Sequence, residues 1–382
     1  MKLIAKILIV LSPALICVGF LTWMLFYIGE FTPIEDVVTQ QLNNHEIVFS
    51  GDEVFSQYKW HMLQRRTPKL LILGSSRVMS FRSQFFHLDE ENVYNAGMDL
   101  GNIWRAIWVL DALQAQSELP ETLIVGFDPD WFVPGRSPVD DIDDIDIPDP
   151  APTTPNIETL FNRIRSVVGD IIENQIDLAD ILDRRDPFYD ALTIGYNGIT
   201  RSTGFRWDGS RILNPTNLNI LPDENRFFNT RERMTNGSGR MTHSDDMNMQ
   251  SLDAVQQLID FCLENDIDLI AFMPPFPPTI YAEMQTTGNY EYIPKTVDHL
   301  NDLFADTGFS YFDFTDGILP NVKDVHYLDG THGSEFVYLN LYLEMLKQSD
   351  DVLGVYSDLD YLESFALQPS ERSQYEVFGV NH

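Results

Sequence analysis

Three short apolar runs, 69–73, 123–127 and 268–273, constrain this chain more than any other feature. Each is short for a helix, and none alternates apolar with polar residues as a half-exposed strand would. A strand apolar on both faces belongs in a sheet covered on both sides, the usual environment of parallel strands. Each run ends in a glycine or a turn, and 92–95 and 309–314 are weaker strands of the same kind. Between them lie helical patterns, clearest in the stripe Leu252, Val255, Leu258, Ile259 and Cys262, with another at 104–116. The repeated strand–helix order predicts an α/β fold, a three-layer doubly wound parallel sheet with functional groups on loops at the carboxyl ends of its strands. Ser75, Ser76, Gly97 and Asp128 all fall just after such strands.

A second constraint lies at the N-terminus. Residues 7–28 carry no charge, and at about 1.5 Å per residue they can cross a hydrocarbon core of roughly 30 Å. Lys2 and Lys6 precede the run and Glu30, Glu35 and Asp36 follow it, which puts the N-terminus in the cytoplasm and the rest outside. The run exceeds a usual signal-peptide core and no small-x-small cleavage site follows, so an uncleaved anchor is expected. Cys17 follows Leu15 and Ile16, a poor match to a lipidated cysteine. Cys17 and Cys262 are the only cysteines, and an intrachain disulfide between them is not expected.

The expected organisation is a cytoplasmic N-terminus and transmembrane anchor (1–29), a membrane-proximal segment (30–67) and an α/β domain (68–382). That domain carries an acidic loop at 140–155 and a central insertion at 156–249, with a long helical pattern running to about 182. A calcium site in the acidic loop would need the regular glycine-punctuated spacing that this stretch lacks. The formal charge of -33 excludes nucleic acid as a partner, since a phosphate backbone requires a positive stripe. Acidity of this size is also what a salty environment favours.

The chemistry resides in two distant motifs, Gly74-Ser75-Ser76 after the first strand and Asp329-Gly330-Thr331-His332 near the other end. A serine hydroxyl is a weak nucleophile at neutral pH. It needs a histidine to take its proton and a carboxylate to hold that histidine in the right tautomer. Ser76 is the expected nucleophile, His332 the base and Asp329 its orienter, with His326 the rival base. The remaining histidines have no metal-ligand spacing, and neither a catalytic metal nor a cofactor is expected.

Gly74-Ser75-Ser76 resembles the first block of the SGNH or GDSL hydrolase superfamily, with Ser75 in place of the family's aspartate. Tyr94-Asn95-Ala96-Gly97 resembles the second block, and Asp329-x-x-His332 matches the last. The resemblance implies an oxyanion hole built from the Ser76 and Gly97 N–H groups, with Ser75 and Arg77 positioning substrate. The third block, Gly-x-Asn in the family, is here Gly126-Phe127-Asp128, and an ionised Asp128 accepts hydrogen bonds rather than donating them. Asp128-Pro129-Asp130-Trp131-Phe132 instead resembles a segment of the membrane-anchored D-alanyl transfer proteins. The likeness covers about 69–132 and 268–346, and it extends to polysaccharide O-acetyltransferase-like proteins.

These likenesses imply a cell-membrane, outward-facing serine esterase or O-acyltransferase acting on an acylated glycan or cell-envelope polymer, with a membrane O-acyltransferase as partner. The alternative is a catalytically weak accessory or carbohydrate-binding subunit of an envelope assembly. Trp131 and Phe132 are open to two roles, stacking on sugar or packing in the core. The proline-rich loop 273–278 likewise either shapes a cleft wall or packs rigidly.

Overall fold

Leucine, isoleucine and valine dominate the runs that become the central strands, and such side chains are stable only between two covered faces. The computed structural model describes residues 2–50, 55–97, 101–135, 157–173, 176, 178–185, 191–201, 203–213, 227–367 and 375–379. The acidic loop expected at 140–155 lies outside them. From the N-terminus, α1 (Lys2–Tyr27) leads through α2 (Ile34–Asn43), β1 (Ile47–Phe49) and α3 (Phe55–Arg66) to β2 (Leu70–Leu73). There follow β3 (Val93–Asn95), α4 (Ile103–Gln114), β4 (Thr122–Gly126), α5 (Ile157–Ile172), α6 (Leu178–Asp183), β5 (Leu192–Ile194) and α7 (Tyr196–Arg201). The chain continues through β6 (Thr203–Phe205), β7 (Arg211–Leu213), α8 (Phe228–Asn236), α9 (Met249–Glu264) and β8 (Asp268–Met273). It then runs through α10 (Pro278–Thr287), α11 (Tyr292–Phe304), β9 (Ser310–Asp313) and α12 (Glu335–Gln348).

The larger sheet is parallel throughout, in the order β3-β2-β4-β8-β9. Leu71 pairs with both Tyr94 and Leu123, and Ile124 pairs with Ile270, so the apolar runs lie in register at its centre. Every residue of β2 and β4 is buried, which shows that both faces of the sheet centre are covered. The stripe expected on α9 is the face it buries, and Asn248 caps that helix by accepting from the Gln250 N–H at 3.1 Å. Segment 104–116 forms α4, one residue earlier at its start and two shorter at its end.

A second sheet, in the order β5-β1-β6-β7, was not expected. β1 pairs in parallel with β5 and antiparallel with β6, which in turn pairs antiparallel with β7. The membrane-proximal segment and the central region therefore interleave, with a strand of the former lying between two strands of the latter. Strands of three residues show too little of a two-residue period to be recognised, and pairing across such separations is invisible locally. The helical pattern expected to run to 182 is divided between α5 and α6.

The turn between β6 and β7 joins the two sheets. Gly209 adopts φ +82°, and a Cβ there would lie 2.1 Å from the Asn95 carbonyl oxygen at the end of β3. The neighbouring Asp208 is buried; its carboxylate accepts from the N–H groups of Ser83 (2.8 Å) and Ser210 (2.9 Å). Burial pushes the Asp208 carboxyl up, but Arg82, Arg206 and these donors outweigh it and hold the group below its ordinary range. Lys59 of α3 donates to the Asn95 carbonyl at 2.7 Å and to that of Gly209, and burial pushes its ammonium down to about 7.

At the N-terminus, Ile9–Tyr27 is a 19-residue stretch with mean hydropathy 2.2, long and apolar enough to cross a membrane. Cys17 is exposed on this helix and Cys262 is buried in α9; both are free thiols.

Candidate active site

Gly74 ends β2 at φ +153°, where a Cβ would lie 2.6 Å from Val78 and 3.2 Å from the Gly126 carbonyl of β4. Only glycine lets the chain leave the strand this closely. Ser75 then caps the short 3-10 turn Ser76–Ser80, its Oγ accepting from the Arg77 N–H at 3.1 Å. Ser76 thereby opens the turn at the carboxyl end of the sheet, where its own N–H has no intrahelical acceptor.

The residues expected at the far end of the chain meet it there. Ser76 Oγ lies 2.9 Å from His332 Nε2, and His332 Nδ1 lies 2.8 and 3.0 Å from the two oxygens of Asp329. A carboxylate facing Nδ1 places the proton on that nitrogen and leaves the Nε2 lone pair toward the hydroxyl. The three-residue offset closes a tight loop in which Asp329 Oδ1 also accepts the N–H groups of Thr331 (2.7 Å) and His332 (2.9 Å). Desolvation pushes the Asp329 carboxyl up. The imidazole and the two amides more than offset it and hold the group well below the usual carboxylate range, although its side chain is 49% exposed. Ser80 Oγ donates to the Gly333 carbonyl at 2.8 Å, tying this loop to the serine turn.

His326, the rival base, is buried beside Phe336, and its Nδ1 accepts the Lys323 N–H at 3.1 Å. Burial pushes its pKa down, and it is His332, not His326, that faces Ser76 Oγ.

Several residues expected to bind substrate or an oxyanion do otherwise. The Gly97 N–H is given to Asn95 Oδ1 at 2.8 Å. Asn95 itself donates to the carbonyls of Val78 and Phe81, both at 2.9 Å, so it staples β3 to the serine turn. Gly97 is required by packing, because a Cβ would lie 2.7 Å from Val78. Arg77 is buried, with its Nη2 donating to the carbonyls of Pro274 (2.9 Å) and Pro275 (2.8 Å) and its guanidinium 4.5 Å from the Phe276 ring. It holds the proline-rich loop in place rather than meeting substrate. Ser75 is fully buried, and Trp131 and Phe132 lie in the core.

Asp128 is fully buried and binds arginine rather than replacing an asparagine donor. Its Oδ1 lies 4.0 Å from Arg77 Nε, and its Oδ2 accepts from Arg240 Nη1. Arg240 also faces Asp130 at 3.6 Å, and its Nη1 lies 3.4 Å from Ser75 Oγ. Its Nη2 reaches Ser76 Oγ at 3.3 Å. The cation comes from the turn Gly239–Met241, beyond α8, in the region 156–249 expected to be a central insertion. α8 also touches the Asp329–His332 loop: a Cβ on Gly330 would lie 2.3 Å from Thr230 Oγ1.

Sequence reasoning missed Arg240. The available signal was Asp128 itself, because a carboxylate buried at a strand end requires a cation or several donors. The assembled groups can deprotonate a hydroxyl, hold the resulting imidazolium and stabilise negative charge near Ser76. Comparison of the chain with family models, with curated proteins and with solved structures finds no match.

Proposed function

We propose that this protein is an SGNH-like serine esterase or O-acyltransferase, held by α1 in the cell membrane with its N-terminus in the cytoplasm and its α/β domain outside. The observation that carries this reading is the continuous hydrogen-bonded line Ser76–His332–Asp329, with Arg240 on the same hydroxyl. Support for the family comes from the order of its motifs along a parallel sheet, with Asp128–Arg240 where the Gly-x-Asn block would supply a neutral donor.

In the proposed reaction Ser76 Oγ attacks an acyl carbonyl while His332 Nε2 takes the hydroxyl proton. Asp329 stabilises the imidazolium. The carbonyl oxygen becomes an oxyanion, held by the Ser76 N–H and by Arg240, which stands in for the Gly97 amide, already bonded to Asn95, and for the missing asparagine. His332 returns the proton to the leaving alkoxide, and an acyl-serine remains. Water or a carbohydrate hydroxyl then attacks that ester, giving hydrolysis or transfer, with His332 again as base. The substrate class proposed is an acylated glycan or cell-envelope polymer, with a membrane O-acyltransferase as partner that supplies the acyl group.

The test uses the detergent-solubilised full chain. A fluorophosphonate probe is expected to modify Ser76, aryl acetates to be hydrolysed, and Ser76→Ala and His332→Ala each to abolish both. A wild-type chain that resists the probe and turns over no ester, yet binds envelope glycan, would replace this reading with that of an accessory binding subunit.

A further inference from the structure

The helix α5 has two apolar faces, and among the described residues only one of them is packed. Leu160, Ile164, Val167 and Ile171 pack with Leu21, Met24, Leu25 and Ile28 of the α1 end. At about 100° per residue, Ile157, Phe161, Val168 and Ile172 fall in an adjoining arc of roughly 60°. These four are 86%, 65%, 37% and 74% exposed. In water such an arc is costly, and four large apolar side chains in one line are not scattered surface residues.

The depth of α5 is set by what it packs on. Leu21 and Ile28 lie in the last turns of the 19-residue candidate span or just beyond it, so α5 lies alongside the outer end of that span. On the exposed side of the same turns, Trp23 stacks on Tyr27 at 5.5 Å and meets Phe20 at 5.7 Å, while Phe26 meets Phe31 at 5.2 Å. Aromatic clusters with Trp and Tyr at the end of a span mark the headgroup level. The placement is rigid, because Arg163 of α5 pairs with Glu30 just after α1 at 2.5 Å and the Tyr196 N–H donates to the same carboxylate at 2.5 Å. Exposed Arg165 borders the apolar arc, where a cation meets lipid phosphate.

We infer that α5 is a second membrane contact, lying in the outer membrane–water interface with Ile157, Phe161, Val168 and Ile172 among the upper acyl chains. The inference rests on the reading of α1 as a membrane anchor. The occupant of the arc is lipid, because the arc adjoins the face of α1 that the bilayer would cover. The binding is hydrophobic rather than electrostatic, since a chain of net charge -33 is repelled by anionic headgroups. With α1 alone the domain could swing about its neck; with α5 embedded, the smaller sheet is held against the bilayer and the β6–β7 turn passes that orientation to β3.

The test places single nitroxide labels in the full chain, in a Cys17→Ser background, reconstituted in phosphatidylcholine vesicles. Labels enter through Phe161→Cys or Val168→Cys on the arc, Asn162→Cys or Ser166→Cys on the opposite side, and Trp23→Cys on the anchor. Collisions with lipid-soluble oxygen are expected to exceed those with a water-soluble nickel chelate severalfold at 161, 168 and 23, with the reverse at 162 and 166. Nickel access at 161 and 168 with position 23 still in lipid would overturn the inference and leave the anchor standing. Nickel access at all three would overturn both. Protection of 161 and 168 from both reagents would mean that protein, a second copy or a partner helix, covers the arc, and would overturn the lipid contact.

Discussion

The two sheets were built by different kinds of information. The larger one grows from runs such as Leu70–Leu73 and Thr122–Gly126, apolar on both faces, whose burial is written into composition over four or five residues. The smaller one joins three-residue strands from before β2 and after β4, and its ordering depends on Gly209 lying against Asn95 and on Asp208 among buried arginines. Ser76, Asp329 and His332 ride on the first kind of structure. Arg240, from the region after the smaller sheet, reaches the same hydroxyl. The candidate site is thus a legible serine–histidine–aspartate line completed by a group whose position only long-range packing provides.

Breaking the legible line should have the largest effect. Ser76→Ala is expected to lower aryl acetate turnover by about 10⁴-fold or more, and Asp329→Asn by about 10⁴-fold through loss of the productive tautomer, both read as kcat by stopped assays. Thermal melts of the two variants should stay near the wild type, because the Ser76 and Asp329 side chains are not in the core.

A change in the junction should do the opposite. Asp208→Ala takes a buried carboxylate from beside Arg206 and from beside Arg82, which keeps Glu335 at 3.3 Å, and removes the acceptors of two N–H groups, a loss of about 3–5 kcal/mol in urea unfolding. Probe labelling of Ser76 at low temperature should persist. Equal loss of labelling and stability would mean that the two sheets do not act as separable regions.

Arg240→Ala tests where the regions meet. If the guanidinium holds the developing oxyanion, kcat should fall about 10²–10³-fold, roughly 3–4 kcal/mol of barrier, with KM little changed. Arg240→Lys should restore part of the rate. A fall in KM-dependent binding alone would make Arg240 a substrate clamp.

The smallest expected effect is a pH dependence at Lys59. Its folded-state pKa, pushed down to about 7 by burial, lies below the 10.5 of the exposed group. Between these values the unfolded chain holds a proton that the folded chain has released, so unfolding free energy rises with pH. The melting temperature should climb by a few degrees from pH 7 to pH 9.5, and Lys59→Met should flatten the slope. A flat wild-type profile across this window would place the Lys59 proton in the folded state, bound to the carbonyls of Asn95 and Gly209.

Much of the site was legible because its motifs combine backbone demands with side-chain chemistry. Gly74 must turn at a positive φ, Ser75 must cap, and Asp329 must sit three residues before His332 for one loop to close. What misled was the assumption that a motif residue acts as its look-alike does. Gly97 keeps the required small size but gives its N–H to Asn95, and Arg77, next to Ser76 in sequence, turns inward to the Pro274 and Pro275 carbonyls. The direction of an amide or a guanidinium depends on which acceptors the fold brings near, and no local pattern encodes those.

By itself the sequence determined the parallel strands, the apolar N-terminal helix and the serine, histidine and aspartate that meet at the strand ends, because burial, span length and turn geometry are local properties. The smaller sheet, the inward turn of Arg77 and the arrival of Arg240 at Asp128 and Ser76 were decided only by tertiary structure. A buried carboxylate requires a partner, but only the folded chain determines which distant cation fills that place.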